Sequence, residues 1–204
     1  MHPLDPLSAQ ELSQVVLNAR KVWDLKEHHL FAMVQLNEPN KELLNKNQSI
    51  ERSAKVSILD TSTAKLFEGI ITVNGKSLSW QEIENAKSPV LSTESKNAIK
   101  SVLENPEIVK ALKERGISDP LNQVHVETWP IGAQIPDFLN DGRRLIWTPM
   151  WFRPTKESNM YAHPINGLYA IVDLKNYEVV SIENTDKTPI PQTPGDYRIS
   201  QTGG

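Results

Sequence analysis

The amino-acid sequence predicts an α+β protein of two small modules, each a helical segment followed by about four antiparallel strands. Three observations carry this. Apolar residues recur at helical spacing over 9–24 and again between 93 and 115. Short runs rich in β-branched and aromatic residues follow each helical stretch, bounded by Pro, Gly, Asn and charged residues, which is the pattern of strands joined by turns. The same order of elements occurs on both sides of a polar stretch at 84–92. Identities between the halves are too sparse to establish an internal repeat. The predicted limits are 1–86, 87–190 and an extended tail over 191–204.

Taken in order, Ser8-Ala9-Gln10-Glu11 has the spacing of a capping box. Leu12, Val15, Val16, Ala19, Val22 and Trp23 then mark an amphipathic helix, with Trp23 read as a core residue at its end. Strands are expected over 30–36, 54–59, 65–73 and 78–83, with a polar surface loop at 39–50. Asn74-Gly75 predicts a tight hairpin between the last two strands, because both residues tolerate positive φ. In the second module, Ser92 or Thr93 caps a helix carrying Ile99, Val102 and Leu103. Asn105-Pro106-Glu107 opens another helix, which buries Ile108, Ala111 and Leu112 and ends at Gly116. Strands follow at 124–129, 143–153, 168–174 and 177–183. In the third, Leu168, Ala170 and Val172 share one face and Tyr169, Ile171 and Asp173 the other. The tail from Asp186 to Gly204 carries Pro189, Pro191 and Pro194 and has no periodicity.

Composition narrows the function. Formal charge is −3, from 22 basic and 25 acidic residues, with no basic run, so nothing favours nucleic acid or an anionic membrane. The absence of cysteine excludes disulfides, thiolate metal sites and thiol nucleophiles, and fits a reducing, cytoplasmic compartment. No apolar run approaches the roughly 20 residues of a membrane helix, and no signal-peptide core opens the chain, so a soluble protein is expected. There is no GxSxG, P-loop, GxGxxG or HExxH motif. The histidines are His2, His28, His29, His125 and His163. The adjacent pair His28-His29 would diverge on a strand or a helix and so is poorly placed to share a metal. Surface or loop positions are expected for them.

Several stretches together resemble the copper amine oxidase family. They are Arg143-Arg144, Asn159, Tyr161-Ala162-His163-Pro164, Gly167, Val172-Asp173 and Glu178-Val179, which are similar to the family's third domain. His2-Pro3-Leu4-Asp5-Pro6-Leu7-Ser8, Leu36-Asn37-Glu38-Pro39 and Arg115-Gly116-Ile117 fit the same frame, the first resembling the start of the second domain. The resemblance covers His2 to about Tyr197. It implies cystatin-like folds for both modules, a helix packed on a curved antiparallel sheet.

The resemblance also implies a parent reaction, oxidative deamination of a primary amine to an aldehyde with release of ammonia and hydrogen peroxide. The parent enzyme is homodimeric and uses copper and topaquinone, both held by a catalytic domain that lies outside these residues. That copper needs three histidines, two of them in a His-x-His pair, and no such pair occurs here. Asn176-Tyr177-Glu178 matches the Asn-Tyr-acid core of the quinone precursor, but falls in a hairpin corner of the third-domain pattern. It is read as a decoy. The chain alone is therefore expected to be an inactive fragment, without catalytic residues, cofactor or metal of its own, acting as scaffold and substrate-channel wall. Trp129 and Tyr161 correspond to positions bordering that channel. The alternative is a stand-alone cystatin-like binding module; Gln123-Val124-His125 is the nearest approach to the inhibitory Gln-x-Val-x-Gly hairpin and lacks its glycine.

Overall fold

Ser8 opens the first helix through reciprocal bonds: its Oγ accepts the Glu11 N–H at 3.2 Å, and Glu11 Oε2 accepts the Ser8 N–H at 2.8 Å. These details come from a computed structural model that describes residues 2–45, 50–132, 135–156, 158–185 and 187–191. The chain divides into two compact units, Met1–Pro89 and Val90–Gly204.

In the first unit, α1 (Ala9–Val22) packs on a four-stranded antiparallel meander: β1 (His29–Asn37), β2 (Ser53–Asp60), β3 (Leu66–Thr72) and β4 (Ser77–Glu82), in that spatial order. Val15 and Ala19 of α1 meet Ala54, Val56 and Ile58, alternate residues on one face of β2. Between β1 and β2, where a plain loop is expected, lies the short helix α2 (Lys41–Asn45). Asn40 starts it, its side chain accepting the Glu42 N–H at 2.9 Å. Gly75 takes φ +96° in the turn between β3 and β4 and donates to the Thr72 carbonyl.

Trp23 follows α1 and lies half-buried against the core, as the helical spacing predicts. Its ring stacks on Trp80 at 4.3 Å, and its Nε1–H donates to Ser77 Oγ. The stack requires a bare backbone beneath it: a Cβ on Gly69 would lie 2.6 Å from the Trp23 ring.

The entry segment is tied down by a residue that sequence patterns did not single out. Arg52 donates to both Glu11 carboxylate oxygens, and also to the carbonyls of His2, Pro3, Asp5 and Pro6. The fork geometry of a guanidinium serves several acceptors at once. Chiefly through the Arg52 hydrogen bond, the Glu11 pKa falls from its ordinary 4.5 to about 2.

The turn from β2 to β3 holds Ala64 at φ +62°. An L-residue there is disfavoured by roughly 1–2 kcal/mol, more than the ~0.4–1 kcal/mol that glycine forfeits through unfolded-state entropy. Ala64→Gly is expected to raise stability by about 0.5–1 kcal/mol, seen as a higher denaturant midpoint. An unchanged or lower midpoint would contradict it.

The second unit begins with α3 (Ser92–Glu104) and α4 (Pro106–Glu114), followed by the single turn α5 (Pro120–Gln123). Ser92 and Thr93 lie inside α3 rather than capping it. The N-cap is Leu91, and Glu94 accepts its N–H at 2.9 Å. Asn105 caps α4 as expected, accepting from the Glu107 and Ile108 N–H groups, and Gly116 follows at φ +86°.

The strands are β5 (Val124–Val126), β6 (Trp129–Pro130), β7 (Leu145–Thr148), β8 (Met150–Phe152), β9 (Leu168–Asp173) and β10 (Glu178–Asn184). The two strands expected at 124–129 and 143–153 are each split. Their outer halves pair as a two-stranded sheet, β5 with β8, while β6 and β7 join a four-stranded sheet in the order β10-β9-β7-β6. Pro149 is the cause: it interrupts the longer strand, has no N–H to donate, and only its carbonyl is used, by the Glu127 N–H.

Leu168, Ala170 and Val172 of β9 face a core shared with Ala98 and Val102 of α3 and Ile108 and Leu112 of α4. On the opposite face, Ile171 packs with Leu139 and Leu145. The tail was expected to be extended from residue 186, yet Ile190 is buried in the main core and the Pro191 carbonyl meets His163 Nδ1. Residues 192–204 lie outside the described residues.

Candidate functional site

The broken hairpin of the second unit gathers aromatic rings around one carboxylate. Register places His125 opposite Trp151 on β5 and β8, and Trp129 opposite Trp147 on β6 and β7. Glu127 lies between the two pairings. Its Oε2 accepts the Trp129 Nε1–H at 2.7 Å and its Oε1 accepts the Tyr161 hydroxyl at 2.5 Å, with His125 Nε2 at 3.5 Å from Oε1. Tyr161 comes from a single 3₁₀ turn at 160–162, which Asn159 starts by accepting the Tyr161 N–H.

The rings form a continuous set. Trp151 meets Tyr161 edge-on at 5.6 Å and Trp129 at 6.1 Å; Trp147 meets Trp129 and Tyr169 edge-on at 5.3 and 5.6 Å. Inclined rings at such distances are favourable pairs. Trp129 and Tyr161 are nevertheless 44 % and 55 % exposed. Burial works to raise the Glu127 pKa, but hydrogen bonds from Tyr161 and Trp129 and the nearby His125 outweigh it and hold the carboxyl below its ordinary range. The hydrogen bond to Glu127, with burial, raises the Tyr161 pKa. The result is a fixed negative charge beside two exposed ring systems, which suits an organic cation. Sequence reasoning reached Trp129 and Tyr161 but missed Glu127, Trp147 and Trp151, whose spacing says nothing until the strand breaks at Pro149.

Other candidate positions fall elsewhere. Tyr177 takes φ +60° at the end of the turn between β9 and β10 and packs on the main core. This is a turn position with a packing role. Val124 and Val126 are buried, so Gln123-Val124-His125 presents no exposed inhibitory hairpin. His163, expected at the surface or in a loop, is fully buried, edge-on to Phe152. His28 and His29 do not diverge, because His28 sits in the turn before β1; with Asp60 they bring one donor atom each to within 4.8 Å of one another. No helix among the described residues is long and apolar enough to cross a membrane.

Fold and site together define a pair of α+β domains bearing an aromatic–carboxylate surface. The chain belongs to the copper amine oxidase family: the model of the family's N3 domain matches residues 93–200, and that of its N2 domain matches residues 2–72. It is 31% identical to the primary amine oxidase of Arthrobacter sp. (strain P1) over 99% of its length and 30% identical to that of Klebsiella aerogenes over 96%. A solved structure, the copper-containing benzylamine oxidase from Hansenula polymorpha, superposes over the whole chain with a TM-score of 0.74 at 16% identity. The chain spans 31%, 26% and 35% of these three proteins respectively. It corresponds to the family's N-terminal N2 and N3 region.

Proposed function

We propose that this region serves as scaffold and entrance wall for an amine oxidase catalytic domain, with Trp129 and Tyr161 bordering the path of the amine. The observation that carries this reading is the Glu127 carboxylate, which holds an indole and a phenol at the surface beside a negative charge. A protonated primary amine gains from both: attraction to the carboxylate and contact with a ring face. The parent enzyme on this reading is a homodimer that oxidises a primary amine to aldehyde, ammonia and hydrogen peroxide. Copper and topaquinone would supply that chemistry from the catalytic domain. Tyr177 packs on the core and His163 is buried against Pro191, so neither is placed to hold those groups.

Benzylammonium is the test ligand. Titrated into the 204-residue protein, it is expected to change tryptophan fluorescence saturably, with a dissociation constant in the millimolar range, as an exposed cation–π contact of about 0.5–1 kcal/mol beside a charge allows. Trp129→Ala or Tyr161→Ala should weaken binding several-fold. A linear, unsaturable response, or variants that bind as well as the parent protein, would remove the basis for the reading.

A further inference from the structure

His28, His29 and Asp60 meet where the start of β1 pairs with the end of β2. His29 and Asp60 are register partners, and His28 precedes them in the adjoining turn. His28 Nε2 lies 3.9 Å from Asp60 Oδ1, and the two imidazole rings are 4.3 Å apart. One donor atom from each of the three residues falls within a 4.8 Å span. Ligands on a common metal at roughly 2.0–2.2 Å lie about 3–4 Å apart, so small side-chain rotations would close the set.

The backbone beneath the donors is already held. The His28 carbonyl accepts both the N–H and the hydroxyl of Thr61, joining the turn before β1 to the turn after β2. Asp60 is buried, and its carboxylate accepts from the Ser62 N–H, the Ser62 hydroxyl and the Thr63 hydroxyl. The Thr63 N–H also faces the carboxylate, so a bound ion would share its oxygens with these donors. His28 is exposed and His29 half-buried, which gives an ion a route in.

We propose that His28, His29 and Asp60 form a binding site for a divalent transition metal of the imidazole-preferring class, with Zn²⁺ the representative ion. Two imidazoles and one carboxylate suit zinc or copper and disfavour calcium or magnesium, which seek oxygen-only shells. The fourth position would be taken by water. Ligation has a recognisable cost: His29 Nδ1 accepts the Lys26 N–H at 2.9 Å. Turning that ring to a metal gives up this bond, so the site should be of moderate affinity and its occupancy should be felt at the Lys26 amide. The bound ion would clip the first strand to the β2–β3 turn.

Zn²⁺ titrated into the 204-residue protein provides the test, followed by calorimetry and by amide NMR. The expected result is one equivalent bound with micromolar affinity, a shift of the Lys26 amide, and at least tenfold weaker binding in His28→Ala. His28 is exposed, so this variant keeps its fold; Asp60→Asn provides a second weakening. His2→Ala should leave binding unchanged, since His2 offers a separate terminal ligand. Absence of binding up to millimolar Zn²⁺, or binding lost in His2→Ala and retained in His28→Ala, would overturn the proposal.

Discussion

Arg144→Met is expected to destabilise the second module by about 3–5 kcal/mol, the range for breaking one side of a buried ion pair. Arg144 is 7% exposed and Glu94 1%. Arg144 Nη1 and Nη2 donate to the two oxygens of Glu94, and Glu94 also accepts the Leu91 N–H that starts α3. Removing the guanidinium leaves a carboxylate buried in a low-dielectric site without its partner. The pair itself contributes less than its breakage costs, because both charges gave up water on folding. Glu94→Leu combined with Arg144→Met should therefore recover much of the loss. Denaturant unfolding followed by circular dichroism measures both. A loss below about 1 kcal/mol in the single variant would show that the pair is not desolvated as described.

Arg52→Met should cost about 2–4 kcal/mol in the first module, since its guanidinium makes charge-assisted hydrogen bonds worth roughly 1.5–3 kcal/mol to Glu11 alone. The four freed carbonyls belong to residues 2–6 and can turn to water, so the entry segment should also become susceptible to proteolysis. The same pair sets an acid limit. Glu11 has a folded pKa of about 2 against an ordinary 4.5, so its contribution is complete above pH 4.5 and is lost as pH falls from there through 2. Discounted for partial solvent contact, that contribution is about 2 kcal/mol. In Arg52→Met the slope of stability against pH across this window should flatten. If it stays as steep, another carboxylate governs the acid response.

What the sequence disclosed and what it withheld divide along physical lines. Caps and turns are local, so Ser8 with Glu11, Asn105 and Asn74-Gly75 could be read from spacing alone, and each appears where expected. The alternation of Leu168, Ala170 and Val172 likewise named the buried face of β9. Long-range partners leave no such trace. Arg52 is 41 residues from Glu11, and Arg144 is 50 residues from Glu94. Glu94 looked like any first-turn acid, and a buried His163 looks no different in sequence from a surface one. The split at Pro149 was in principle legible, since proline inside a strand pattern argues for a break. The aromatic wealth on both sides masked it. Trp129 and Tyr161 could be named from the sequence, while the Glu127 carboxylate that joins them emerges only once both half-hairpins are paired.

The break at Pro149 also bears on how the rings at the surface are held. Strand β6 is two residues long, and one of them, Pro130, has no amide hydrogen to give. Trp129 is thus carried by the least secured rung of the sheet, while β5 and β8 close a separate ladder behind it. Fraying free energies follow such local pairing. Amides of β5 and β8 should outlast those near Trp129 in hydrogen exchange, so the exposed indole sits on the part of the sheet that opens most readily.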